Sequence, residues 1–83
     1  MTIHNRLGLH ARPAMALVDT VNRYKASMTI RKQDQVVDAK SIMQVMMLAA
    51  TQGTELELEA TGADAPQLID DVTDLINRKF DEE

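Results

Sequence analysis

The pattern of apolar residues predicts an α+β chain, an open-faced two-layer sandwich of order β-α-β-β-α-β-α in which three helices cover one face of a four-stranded antiparallel sheet. Three observations carry this prediction. Residues 27 to 32 and 54 to 61 alternate apolar and polar side chains, as a strand buried on one face does. Two other segments, beginning at Ala14 and at Leu68, repeat apolar residues at the helical spacing of three and four. The outward residues of the last strand are Glu55, Glu57 and Glu59, so one sheet face is wet and the helices must share the other.

The elements follow in chain order. Thr2-Ile3 opens a strand, with His4 in it or just after; no second histidine or paired carboxylate stands at ligand spacing, so His4 reads as a surface residue. Pro13 lacks an N–H and has φ already near the helical value, which suits the first turn of a helix. That helix therefore starts beside His10. Ala14, Leu17, Val18 and Val21 form its buried stripe, closed by Tyr24. In the next strand Met28 and Ile30 face inward and Thr29 and Arg31 outward. Gln33-Asp34-Gln35 turns the chain, and Val36 to Ala39 returns as a short strand. Ser41 with Gln44 three residues on is a capping box for the middle helix. From Ile42 to Ala50 every residue except Gln44 is apolar, more than one buried face of a short helix needs. Val45, Leu48 and Ala49 are expected inside, with Ile42 at the border and Met43, Met46 and Met47 nearer the surface. In the strand from Thr54 to Thr61, Leu56, Leu58 and Ala60 point inward. Asp64 and Gln67 propose a second capping box, with Pro66 in the first turn. The helix behind them buries Leu68, Ile69, Val72, Leu75, Ile76 and Phe80, and Arg78 and Lys79 suit the negative end of its dipole.

The chemistry concentrates in Gly8-Leu9-His10-Ala11-Arg12-Pro13. A helix leaves its first N–H groups unpaired, and none of the residues before Pro13 is a Ser, Thr, Asp or Asn that would satisfy one. Those donors and the positive end of the helix dipole make an anion site. Arg12 adds a guanidinium that stays charged and matches phosphate oxygens in a fork. Imidazole is largely neutral at pH 7 and keeps a lone pair for attack on phosphorus. Phosphoryl transfer needs mainly in-line approach and stabilised oxygens, which the amides and Arg12 supply without a metal. Gly8 lets the loop bend and hold His10 at the surface.

Leu7-Gly8-Leu9-His10-Ala11-Arg12-Pro13-Ala14 resembles the active-site motif of the HPr family, the phosphocarriers of the bacterial phosphoenolpyruvate-dependent phosphotransferase system. The resemblance continues through Ser41 to Leu48, Gln52-Gly53-Thr54 and Ala60-Thr61-Gly62-Ala63-Asp64, so it spans essentially the whole chain. It implies that His10 takes a phosphoryl group on Nδ1 from phosphorylated Enzyme I and passes it to a histidine of an enzyme IIA protein. Arg12 and the amides of Ala11 and Arg12 would hold the group, without catalysis of a substrate's turnover by this chain alone. The strand order implied is 1-4-2-3. Relatives carry several more residues before the Thr2-Ile3 equivalent, so the opening edge strand is expected to be short. The Met46 to Ala50 run and the Leu75 to Glu82 ending resemble the nitrogen-related branch of the family, often called NPr, more than the sugar-transport branch. The face of Met15, Ile42, Met43, Met46 and Met47 is implied to meet Enzyme I and the acceptor, as flexible, polarizable methionines can dock on more than one surface. The segment around Ser41 is similar to that phosphorylated in relatives by an HPr kinase/phosphorylase, which makes a regulatory binding module controlled by Ser41 phosphorylation the alternative function.

Composition fits such a carrier. The 83 residues, 45% of them hydrophobic, predict one domain over 1–83 with one modest core. With no cysteine there is neither a disulfide framework nor a thiolate metal site. No metal or cofactor pattern, nucleotide loop or Ser-His-Asp set is found. No signal peptide or membrane-spanning run is recognised either, so a cytoplasmic location without membrane insertion is expected. Net charge is −4, unevenly spread. Up to Lys40 seven basic residues face three acidic ones, and beyond it two face ten. The half bearing His10 is basic and would steer an acidic partner toward it. Nucleic acid is not expected as a partner, because Tyr24 and Phe80 are the only aromatics and no dense basic stripe exists.

Overall fold

The computed structural model describes residues 2–4 and 6–81. Helix α1 (Ala11–Asn22) buries Ala14, Leu17, Val18 and Val21 as the periodicity predicts. Tyr24 lies beyond its end, in the turn that leads to the sheet, and is half-buried. Strands β1 (Ser27–Lys32) and β2 (Gln35–Asp38) form an antiparallel hairpin. Gln35 pairs with Lys32, so the turn is Gln33-Asp34 alone, and Gln33 takes a positive φ of 55° to close it. Helix α2 (Ile42–Met47) follows, then β3 (Glu57–Thr61) antiparallel to β1, then α3 (Ala65–Asn77).

The sheet is three-stranded in the order β2-β1-β3. Its register explains which side chains are wet. Ile30 stands opposite Val37 and Leu58, and Met28 opposite Ala60, all on the face the helices cover. Thr29 and Arg31 stand opposite Glu59 and Glu57 on the other face, where Arg31 and Glu57 form an exposed ion pair. Val36, opposite Arg31, shares that wet face and is exposed.

The fourth strand expected from the sequence is present only as one antiparallel bridge, between Thr2 and Glu55. Ile3 is buried and exchanges backbone hydrogen bonds with Gly53 and Thr54, at 2.8 and 2.9 Å. The pairing stops there because the segment opposite is a turn: the Thr54 N–H donates to the Thr51 carbonyl at 3.0 Å and Gly53 has φ of 88°. Backbone in that conformation cannot carry a ladder. β3 begins at Glu57 and not at Thr54, because Glu57, opposite Arg31, is the first of its residues to pair with β1.

The core is one cluster that joins Leu17, Val21, Met28, Ile30, Val45, Leu68 and Ile76 among others. Two expectations about its edges change. Ala49 is exposed with φ of 50°, because α2 ends at Met47 and the chain then reverses; Ala50 is the alanine that packs inside. Phe80 reaches the core from outside α3, through a left-handed turn at Lys79, Phe80 and Asp81. Arg78 is consequently the cap residue of α3 and pairs with Asp74 and Asp81.

Both capping boxes are also rearranged. Ser41 Oγ accepts the Gln44 N–H at 3.3 Å, but the Gln44 side chain accepts from the Asp38 amide and not from Ser41. The Ser41 amide donates to the Asp38 carbonyl, so it has no need of Gln44. Asp64 occupies the cap position of α3 without capping it. Its carboxylate accepts the amides of Lys25 and Ala26 at 3.0 and 2.8 Å, which ties the start of α3 to the turn before β1.

Candidate functional site

The loop that leads into α1 is clamped from below. Gly8 is buried with φ of 69°, and a Cβ there would stand 2.4 Å from the Ala50 carbonyl oxygen and 2.8 Å from Thr51 Cα. Glycine is needed twice over, for the dihedral and for the close approach. Leu9 is buried beside it, and its N–H donates to the same Ala50 carbonyl at 2.8 Å. With Leu9 anchored in the core, the next residue emerges at the helix end.

His10 takes the N-cap position of α1 with extended backbone, φ −79° and ψ −172°. Its carbonyl accepts the Ala14 N–H at 3.0 Å, which starts the helix. Its side chain does not cap. Pro13, in the first turn, has no N–H, so the first-turn donors are the amides of Ala11 and Arg12. Neither amide has a hydrogen-bond partner among the described residues. Ala11 and Arg12 are exposed and His10 is half-buried, so this helix start reaches the surface of the molecule. The arrangement can hold a tetrahedral dianion against a nucleophilic nitrogen.

The wall beneath the loop was not singled out from the sequence. Ala49, read as helical, is the residue whose left-handed conformation turns the chain so that the Ala50 carbonyl meets Leu9. The Thr51 amide donates to Thr54 Oγ1 at 3.0 Å, and the Gln52 side chain donates to the His4 carbonyl at 3.1 Å. The available signal was Gln52-Gly53-Thr54, a turn-forming triplet directly after an apolar run.

The residues expected to meet partners lie on α1 and α2, which pack against each other. Met43, Met47, Met15 and Met46 are 75%, 67%, 56% and 45% exposed, and Ile42 is half-buried among them. Leu7 is exposed as well, which the sequence reading missed. Ser41 is half-buried at the start of α2. The surrounding ammonium groups are less available than their number suggests. Lys32 donates to the Leu48 carbonyl at 2.9 Å and Lys40 to the Tyr24 carbonyl at 3.0 Å, where both complete backbone ends. Arg12 keeps its charge in solvent.

The perturbed ionisable groups lie elsewhere. Backbone hydrogen bonds, first that from Lys25, hold the Asp64 carboxyl below its ordinary value of 3.8. A hydrogen bond with Asp71 raises the Tyr24 phenol above 10.0. Both sit at the end of α1 remote from His10, roughly 18 Å along the axis for its length. Among the described residues no three His, Cys, Asp or Glu side chains converge as a metal site would require, and no helix is long and apolar enough to cross a membrane.

Comparison with known proteins agrees with this geometry. A family model described as the PTS HPr component phosphorylation site matches residues 1–78. Phosphocarrier protein HPr of Neisseria meningitidis serogroup A is 46% identical over 80 residues, covering 96% of this chain and 90% of the relative. Phosphocarrier protein NPr of Proteus mirabilis is 40% identical over 84 residues, covering 100% and 93%. The crystal structure of HPr-C-His from Thermoanaerobacter tengcongensis superposes with a TM-score of 0.96 at 41% identity, covering 100% of this chain and 93% of that one.

Proposed function

The chain belongs to the HPr family of the phosphotransferase system, and from that premise we propose that it carries a phosphoryl group on His10, taken from phosphorylated Enzyme I and passed to an enzyme IIA protein of the sugar or nitrogen-related branch. One observation carries the assignment to His10. The imidazole stands at an uncapped helix start whose Ala11 and Arg12 amides have no partner among the described residues, next to an exposed guanidinium. In the transfer, the Nδ1 lone pair forms a bond to phosphorus as the bond from phosphorus to the donor histidine breaks, and the donor ring leaves with that electron pair. Arg12 and the two amides offset the charge on the phosphoryl oxygens. Passage to the acceptor repeats the exchange with His10 as the leaving group.

The finer parts of this reading rest on the same face. Met15, Ile42, Met43, Met46 and Met47 receive both partners in turn, supported by their exposure beside the site. Ser41 is a second, regulatory phosphorylation site for an HPr kinase/phosphorylase, supported by its hydroxyl at the start of α2 next to Met43. A dianion there would oppose an acidic partner, and this keeps the regulatory module as the second reading. Residues 1–83 form one domain in the cytoplasm. The sheet follows the order 1-4-2-3, a reading supported by the Thr2 to Glu55 bridge, which lies where the first and fourth strands would pair.

Incubation with phosphoenolpyruvate and Enzyme I, read by intact mass before and after mild acid, tests the central step. One acid-labile phosphoryl group is expected on the wild-type chain and none on His10→Ala. A chain that gains nothing, or a His10→Ala variant that is still charged, removes the assignment. An acid-stable phosphate on Ser41, formed with ATP and the kinase, is the result that would favour the second reading.

A further inference from the structure

Arg12, Met15 and Asp19 stand at i, i+3 and i+7 of α1, on one stripe of the helix, and all three are exposed. The seven-residue step separates the guanidinium from the carboxylate by about 10 Å along the axis. Between α1 and α2, Met15, Val18, Asp19 and Ile42 line a groove of about 290 Å³ in which Asp19 is the one charged lining group. Asp19 has no ion-pair partner among the described residues, Arg23 one turn further on included.

We propose that Asp19 is a specificity-determining residue of the docking face, selecting partner proteins that set a basic side chain flanked by aliphatic ones into this groove. This deepens the carrier reading of His10 and rests on it. Methionine contacts are adaptable and non-directional, so they give area without orientation. Phosphoryl transfer demands orientation, because donor and acceptor nitrogens must line up with phosphorus between them. Opposite charges at the two ends of an apolar strip supply it. A partner lying one way places the anionic phosphoryl group at Arg12 and a base at Asp19, and the reversed partner brings its base to Arg12 and the anion to Asp19, like charge against like at both ends. A partner without the cation must strip water from the carboxylate against an apolar wall with nothing in return. The other ammonium groups near α2 are turned to the Leu48 and Tyr24 carbonyls, so none neutralises Asp19 from within.

The test measures transfer from the host's phosphorylated Enzyme I to the chain, and from the charged chain to the host's IIA protein, with wild type, Asp19→Ala, Asp19→Lys and Asp70→Lys. Asp70 is exposed on α3 and controls for the change in net charge. Asp19→Lys should lower kcat/KM by about tenfold or more with at least one partner. The loss should fall on KM with kcat retained, shrink in high salt, and be absent in Asp70→Lys. Asp19→Ala should lie between. If Asp19→Lys matches wild type with both partners, or Asp70→Lys loses as much, the specificity role is overturned while the carrier reading stands. A wild-type chain that accepts no phosphoryl group overturns both.

Discussion

Arg12 shows how little a functional side chain contributes to the fold that presents it. Its guanidinium is exposed on the second residue of α1, with no hydrogen bond or ion pair among the described residues. Its removal should therefore leave thermal stability within about 0.5 kcal/mol. Phosphoryl transfer should nevertheless slow by about ten- to a hundredfold, because a preorganised charge on the phosphoryl oxygens is lost. Parallel melting curves and single-turnover transfer rates for Arg12→Ala check both halves, and an unchanged rate would remove Arg12 from the site. Gly8 is the opposite case. It touches no cargo, but its positive φ and its contact with Ala50 fix where His10 emerges. The His10 motif was legible in sequence because its residue types are local. The Ala50 carbonyl that anchors it was not, since 42 positions separate Gly8 from Ala50 and only folding joins them.

At the level of elements, the helix ends are held by groups from elsewhere in the chain. The Asp-x-x-Gln spacing predicts Asp64 as an N-cap, and its backbone does occupy that position. The carboxylate instead bridges to Lys25 and Ala26, because Gly62, with φ of 139°, brings the two segments so close that a Cβ would lie 2.8 Å from Ala26 Cα. Two amides before a strand would otherwise lack acceptors, a stronger demand than one helix cap. The hydrogen bonds favour the charged form and depress its pKa, so the stabilisation is fully present above the ordinary value of 3.8 and is lost as pH falls through the lower folded value. Asp64→Asn should melt below wild type at neutral pH, and the two curves should converge once the wild-type Asp64 carboxyl is protonated. Melting temperatures between pH 7 and pH 2 check this, and a gap that stays constant to the lowest pH would rule out the charge as its source. Ser41 keeps its cap because its hydroxyl has no competing amide to serve.

Across the whole molecule, one apolar cluster links all three helices to the inner face of the sheet. Leu68 on α3 is fully buried in it. Leu68→Ala should cost about 2–5 kcal/mol through lost contacts and an unfilled cavity. For a domain of this size that lowers the melting temperature by roughly ten degrees or more. Calorimetry checks the size of the effect, and a shift of only a degree or two would mean that the site collapses freely. The charge division survives folding in altered form. Of the seven basic residues up to Lys40, Lys32 and Lys40 cap carbonyls and Arg31 pairs with Glu57, so steering toward His10 depends on fewer cations than the sequence count.

The amino-acid sequence by itself determined the helical stripes of α1 and α3, the inward residues of β1 and the placement of His10 and Arg12 at a helix start, because each depends on side chains within a turn or two of one another. Tertiary structure alone decided where α2 stops, how much of the opening strand pairs, what Asp64 binds and how Phe80 returns to the core. Those outcomes depend on which backbone donors and acceptors are left over after packing, and that inventory exists only once distant segments have met.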